Sequence, residues 1–406
     1  MTGTSIRRGM LDAVIAGGGV VGAAAALMLA REGLSVALVE PRRPPEWTAQ
    51  ARDLRVYAFA PDNARLLQEL GVWQAVCDGR VQAYRRMRIW DAAGGDALVF
   101  DADNLGQPQL GWIVENALLV DRLWAALPAA GVRLHCPARI EALERDDAGV
   151  RLQLDDGLQL QARVAIAADG AQSTLRDLAG IGCTRHGYGQ KGLVAFVTTE
   201  QPHQDTCWQR FLTSGPLALL PFADDEHDDA TLRGHTSSIV WTLPADDADR
   251  LLTMDAHAFE AELSAAFGGE LGAMRVVSAR AAFPLQRQLA ETYAKERVLL
   301  LGDAAHVVHP LAGQGVNLGL RDVAALRDTV SDALRRNVDP AAPARLARWA
   351  RSRRSENAVA AHAFDAINRA YSSDAMLPTL LRGPALGLAG KIPPLSRTLW
   401  RHAAGL

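Results

Sequence analysis

The chain has 406 residues, 49% of them apolar, and a formal net charge of −3. That content supports a sizeable core spread over two domains or one interwoven pair, and the near-neutral balance gives no reason to expect a nucleic-acid partner. Cys77, Cys136, Cys183 and Cys207 show no C-x-x-C spacing, so they read as small, reduced, buried or partly buried thiols.

Residues 1–10 carry two arginines but no apolar run. Leu11–Ala16 is an apolar strand, and Gly17-Gly18-Gly19-Val20-Val21-Gly22 follows it as G-x-G-x-x-G. Ala23–Arg31 is an Ala/Leu-rich helix that stops at Gly33, and Ser35–Val39 is a second strand ending at Glu40. Glycines interrupt the apolar stretch Val14–Ala30, so it is neither a signal peptide nor a membrane span. In such a unit Gly17 permits the tight turn, and Gly19 with Val20 brings backbone against a pyrophosphate. Gly22 lets the helix pack on the strand, and Glu40 takes the ribose hydroxyls of an adenosine.

A loop with three prolines follows, then extended Asp53–Phe59 and a helix over Asn63–Leu70. Either Asp62 or Asn63 can cap that helix. Residues 80–112 alternate charged and apolar positions, as in Arg86-Met87-Arg88-Ile89-Trp90, which suits strands exposed on one face. Glu115–Ala126 reads as a helix, and Arg133–Leu160 as strands with turns at Asp146-Asp147 and Asp155-Asp156-Gly157. Val164–Ala168 is a buried strand that ends in Asp169-Gly170, with a helix starting at Ser173. Residues 181–285 hold strands at Leu193–Thr198 and Ser238–Leu243 and one helix around Asp255–Phe267. His203, His227 and His235 read as surface imidazoles, and Asp224–Asp229 as a solvated loop.

Arg297–Leu301 is again a buried strand. It leads through Gly302-Asp303 and a loop containing His309, Pro310, Gly313, Gly315, Val316 and Asn317 into a helix at Arg321–Leu326. Asp303 can accept hydrogen bonds from a sugar hydroxyl. The amides of Ala312–Asn317 can face an anion, because the first turn of a helix leaves its N–H groups unpaired. A ribityl-bearing cofactor whose ring develops negative charge fits both needs. Asp303, His306 and His309 have a spacing that could hold a metal, but a strand-end Asp before a Gly-rich helix start is better used as a ribityl site, so no metal is expected. Ser173 lacks a G-x-S-x-G elbow, and no hydrolase triad is read. Residues 340–370 form a long Ala/Arg-rich helix, and 376–406 read as short helices and turns with basic residues among apolar ones.

The segment Gly302–Leu320 resembles the second FAD-binding motif of the flavin-dependent aromatic hydroxylases, and the N-terminal glycine unit resembles their first. Asp53-x-Arg55-Val56-x-Ala58 and Ala168-Asp169-Gly170-Ala171-x-Ser173-x-x-Arg176 extend the likeness over the whole chain to the ubiquinone-biosynthesis hydroxylases. Ser238–Trp241, Phe283-Pro284-Leu285 and Tyr84–Asp91 are most similar to the 2-polyprenylphenol hydroxylase branch. Ala168 departs from the pattern, where a glycine is usual.

The resemblance implies an α/β fold, α+β in part. A discontinuous Rossmann-like FAD-binding domain (residues 1–80, 100–180 and 285–340) would interweave with a β-sheet substrate domain (81–99 and 181–284), followed by a C-terminal helical region (341–406). It implies FAD, NAD(P)H as reductant, O2, and a polyprenylated phenol or quinol hydroxylated through a flavin hydroperoxide. In that scheme Arg55 lies close to the flavin phosphates or ring. Asp169-Gly170 serves FAD and the reduced nicotinamide, and His309-Pro310 lie on the ring side, with no acid or base assigned because the flavin carries the chemistry. A cytoplasmic protein, peripheral on the inner face of a membrane or held in a ubiquinone-biosynthesis complex, goes with that reading. A hydroxylase of a small soluble phenol, or a non-catalytic flavoprotein scaffold, stands as its alternative.

Overall fold

The computed structural model describes residues 10–224, 233–308 and 314–371. His309, Pro310 and Gly313, His227, most of the acidic stretch after Asp224, and the basic tail 376–406 lie outside the described residues.

Three sheets organise the chain. The first is built on parallel strands in the order Val298–Leu300, Gln159–Ala167, Leu11–Ala16, Val36–Val39 and Arg133–His135. Parallel strands covered on both faces read as near-continuous apolar runs, and Val14, Ile15, Leu38, Ala165, Leu299 and Leu300 are all buried. Helix Val20–Arg31 lies against this sheet, and Ala23–Ala26 are wholly buried in it. Ile140–Arg145 and Val150–Leu154 attach as an antiparallel branch, with turns where the Asp pairs predict them.

The second sheet has nine mainly antiparallel strands, running from His306–Val307 through Ala281–Ala290, Cys183–Thr199, Thr236–Pro244, Gly215–Pro221 and Thr206–Leu212 to Arg86–Asp91 and Leu98–Asp101. Period-two alternation divides its side chains. Leu193, Ala195, Leu217, Leu219, Ile239 and Trp241 pack under helices Ala245–Thr253 and Ala256–Phe267. Phe196, Cys207, Leu220 and Phe222 meet Ala58, Tyr84 and Ile113 of a small third sheet, Val56–Phe59, Gly111–Glu115 and Val81–Tyr84.

Four local expectations are corrected. Residues 181–285 hold two helices rather than one: Ala245–Thr253 follows Pro244, and Asp246 and Asp247 favour its first turn by the helix dipole. Helix Pro61–Glu69 is capped by neither Asp62 nor Asn63; it opens with Pro61 at its first position, where the missing N–H would have had no helical partner anyway. His203 is buried rather than on the surface, because the turn at Gln204 and Asp205, both at positive φ, folds over it. Its Nδ1 accepts from the Asp205 amide at 3.0 Å, and burial pulls its pKa down. Cys77 is exposed, at the end of the short helix Trp73–Cys77.

Candidate functional site

The carboxyl ends of the parallel strands converge on one crevice. Leu11–Ala16 ends in the glycine turn, Val36–Val39 in Glu40, Gln159–Ala167 in Asp169-Gly170, and Val298–Leu300 in Gly302-Asp303. Open α/β sheets place their ligands at this edge.

The glycine turn is built from backbone. Gly17 has φ +99, and a Cβ there would lie 2.3 Å from the Ala168 carbonyl oxygen; a Cβ on Gly22 would lie 2.0 Å from that of Gly17. Gly19 has open space where its Cβ would be, so the turn presents bare backbone outward at that residue. The Gly18 amide donates to Glu40 Oε2 at 2.7 Å, and Trp124 Nε1 donates to the Gly18 carbonyl at 2.7 Å. Glu40 Oε1 accepts from the Arg42 amide at 3.2 Å, and each oxygen retains capacity for a further donor. Trp124 was legible only as a residue of a helix; its service to the turn across 106 positions was not.

Asp169 is fixed by its own loop. Its carboxylate accepts from the Ser173 hydroxyl and from the Leu175 amide at 3.1 Å, while Ser173 caps helix Thr174–Leu178. Burial raises the Asp169 pKa against these hydrogen bonds. Gly170 has φ +86 and open space beside it. Arg176, wholly buried, donates to the carbonyls of Ala171 and Ala304, tying this loop to the turn that carries Asp303.

Asp303 sits in the 3-10 turn Gly302–Ala304. Its side chain is open to solvent at the crevice. The protein packed around it nevertheless raises its pKa, while His306 and Arg55 pull the other way. Arg55 is exposed and comes from a segment 248 positions earlier, so the fold brings together two residues singled out separately in the sequence. Asp53 sets that segment, accepting from the amides of Arg55 at 2.9 Å and of Ala117 at 2.9 Å. Beside them Tyr57 donates to Asn116 Oδ1 at 3.1 Å, and burial pushes its phenol up to about 12.

Helix Gln314–Arg335 begins beside this turn. Gly315 has open space where a Cβ would be, and Val316 is buried. Asn317 was singled out for its amide, and its side chain is engaged elsewhere in the protein. It is wholly buried, its Nδ2 donates to the Ala58 carbonyl at 2.8 Å, and its Oδ1 accepts from the Ala60 amide at 3.0 Å and from Asn63 Nδ2 at 2.9 Å. The side chain therefore staples the helix start to the Arg55 segment.

His306 is committed to another partner. Its Nε2 lies 2.6 Å from Asp322 Oδ2, both side chains fully buried. Asp322 also accepts from the Gly302 amide at 3.1 Å, Arg353 Nε at 2.8 Å and Asn357 Nδ2 at 3.0 Å. Asp322 closes the segment that carries the resemblance, but no role was read for it, and neither Arg353 nor Asn357 stood out in the sequence.

The residues fit FAD. Two glycines, Gly19 and Gly315, leave uncovered space where a cofactor needs close backbone approach. Glu40 and Asp303 each bring a carboxylate to the strand ends, and Arg55 lies on the side of the latter.

A family model described as FAD binding domain matches residues 10–362. The chain is 38% identical to ubiquinone hydroxylase UbiL of Rhodospirillum rubrum over 397 residues, covering 97% of this chain and 89% of the relative. It is 36% identical to 3-demethoxyubiquinol 3-hydroxylase of Escherichia coli, covering 97% and 98%. Among solved structures, p-nitrophenol 4-monooxygenase PnpA of Pseudomonas putida matches with a TM-score of 0.75 at 17% identity, covering 97% of both chains, which is a likeness of fold.

Proposed function

The chain belongs to the FAD binding domain family and is an FAD-dependent aromatic monooxygenase; from that premise we propose that it hydroxylates the ring of a polyprenylated phenol or quinol in ubiquinone biosynthesis, with NAD(P)H as reductant and O2 as co-substrate. The observation that carries the reading is the placement of the glycine turn, Glu40, Asp169-Gly170 and Gly302-Asp303 at the carboxyl ends of the parallel strands, with Arg55 near enough to Asp303 to pull its pKa down. Full-length likeness to two hydroxylases whose names specify ubiquinone chemistry supports the substrate class.

When bound, FAD supplies the electron transfer and oxygen activation. The chain binds, orients and keeps out water. Gly17, Gly19, Val20, Gly22 and Glu40 hold the adenosine and pyrophosphate half. Asp303 accepts from ribityl hydroxyls, and Arg55 neutralises phosphate or ring charge. The amides of Gly315, Val316 and Asn317 at a helix start favour negative charge on the ring. Asp169 and Gly170 serve FAD and the transient nicotinamide.

We place the enzyme in the cytoplasm, peripheral on the inner membrane face, where a lipid-tailed ring resides. No helix of the described residues is long and apolar enough to cross a membrane.

The purified protein is expected to be yellow and to oxidise reduced nicotinamide faster when a demethoxyubiquinol analogue is added. Deletion of the gene is expected to accumulate a polyprenylated precursor lacking one ring oxygen, read by mass spectrometry. Stimulation by p-nitrophenol alone, with an unchanged quinone profile, would replace this reading with a small-phenol hydroxylase. A colourless folded protein would end both.

A further inference from the structure

One helix touches both the cofactor crevice and the nine-stranded sheet. Helix Pro343–Tyr371 carries Arg353, Asn357, Ala361 and Asp365, spaced four apart and all buried. Residues at that spacing share a helix face. Along that face the partners change in order. Arg353 and Asn357 donate to Asp322, behind the Asp303 turn. Ala361 packs with Val308, just after that turn, and with Leu318 of helix Gln314–Arg335. Asp365 reaches the sheet, where it accepts from the Tyr188 hydroxyl and from Arg287 Nη1. At a rise of about 1.5 Å per residue, the face from Arg353 to Asp365 is about 18 Å long.

The sheet is fastened to the cofactor side at two places. At the near one, the buried Gln288 donates from Nε2 to the Ala171 carbonyl at 2.9 Å, and Leu289 beside it pairs with His306. Asp365 makes the far one. Arg287 and Tyr188 lie on the neighbouring strands Ala281–Ala290 and Cys183–Thr199, whose pairing shifts register between Gly187 and Lys191. Tyr188 stands in that irregular stretch, and Gly189 after it has φ +67. Regular pairing between these two strands lapses there, and a buried carboxylate holds the stretch from the helix side. A carboxylate that accepts from a guanidinium makes strong, directional hydrogen bonds, so it fixes where both strands lie. We propose that Asp365 is a positioning residue: it fixes the nine-stranded sheet relative to the Asp303 turn, so that an aromatic ring held by the sheet meets the cofactor held by the turn. The inference rests on the reading of this chain as an aromatic-ring hydroxylase whose second sheet takes the substrate.

The test is the fraction of reduced nicotinamide oxidation that ends in hydroxylated product, measured on FAD-replete protein with a demethoxyubiquinol analogue. With the ring out of place, NAD(P)H and a proton reduce O2 to hydrogen peroxide, instead of one oxygen atom going to the ring and the other to water. Asp365→Asn keeps the shape and removes the charge that pairs with Arg287. Its FAD affinity is expected to stay unaltered, because the Gln288 fastening and the Asp322 cluster are untouched. Its hydroxylated fraction is expected to fall by about threefold or more, with hydrogen peroxide making up the difference, since a misplacement of about 1 Å can cost on the order of 100-fold. Arg287→Met should act in the same direction, and Tyr188→Phe, which removes one hydroxyl, more weakly. Amide hydrogen exchange over residues 187–190 of Asp365→Asn should rise, while that of strand Leu11–Ala16 stays. An unaltered hydroxylated fraction in Asp365→Asn with normal FAD binding overturns the proposal and leaves Asp365 a fastening of the helix alone; unaltered exchange over residues 187–190 overturns it too. The unaltered protein separates the underlying reading: an analogue that it neither hydroxylates nor answers with faster nicotinamide oxidation refutes the function, and this proposal with it. Should Asp365→Asn not fold, Tyr188→Phe decides by the same fraction: a fall supports the proposal, and no change overturns it.

Discussion

The two glycine-bearing segments that face the cofactor crevice are held in opposite ways. The N-terminal turn closes on backbone: Gly17 and Gly22 have no room for a methyl group, and the partners that crowd them are the neighbouring strand and the turn itself. The Asp303 segment closes on side chains from far along the chain. Asn63 and Asn317 join across 254 positions, and Arg353 reaches Asp322 across 31. A turn of the first kind needs only its own glycines; one of the second kind is as stable as its remote partners.

The sharpest way to break this contrast is Arg353→Met. It leaves the Asp322 charge buried with one cation removed, and stripping one partner from a buried pair costs about 3–5 kcal/mol. Urea unfolding is expected to show that loss; a change under about 1 kcal/mol would mean the segment holds itself. Gly22→Ala comes next. Its new Cβ would meet the Gly17 carbonyl oxygen at 2.0 Å, and overpacking against backbone is expected to cost about 3 kcal/mol, with FAD content falling in step. Asn317→Ala orphans the Ala60 amide and the Ala58 carbonyl, both buried, for an expected loss of about 2–3 kcal/mol by the same measurement. The smallest effect on stability is expected of Gly315→Ala, within about 0.5 kcal/mol, because its Cβ would enter open space. That variant should nonetheless bind FAD less tightly. Unchanged affinity would show that the helix start does not approach the cofactor.

Acid sharpens the same contrast. Burial pushes the Asp322 pKa up, but His306 and Arg353 pull it further down, so the net shift is below the ordinary carboxylate value. A depressed folded-state value contributes stability that is present above the unfolded carboxylate pKa and is lost as pH falls through the folded one. Acid unfolding of Asp322→Asn should therefore lose part of the steepness seen in the unaltered protein below about pH 4.

These modes of closure explain what could be read in advance. Strand Leu11–Ala16, the glycine turn and Glu40 lie within 30 residues, and their periodicity and spacing are local facts of the chain. Asp303 was singled out by its place at a strand end and Arg55 by the resemblance, though nothing in either neighbourhood says they lie near one another. Asn317 drew notice for its place in a glycine-rich helix start, and its side chain serves another purpose, set by carbonyl and amide groups some 250 residues earlier. Asp322, Arg353 and Asn357 look like ordinary polar residues on amphipathic helices. Their burial depends on how the C-terminal helix lies across the Gln314–Arg335 helix, and no short window of sequence encodes that crossing. Asp322 with Arg353 and Asn357, a run of polar side chains on faces that tertiary packing covers, is the only signal that could have marked them.

Arg353 also fixes an order of events during synthesis. A ribosome delivers the glycine turn within the first tenth of the polypeptide, yet Asp322 emerges ahead of Arg353, its buried guanidinium partner 31 positions later. The Asp303 side of the crevice therefore sets later than the glycine turn.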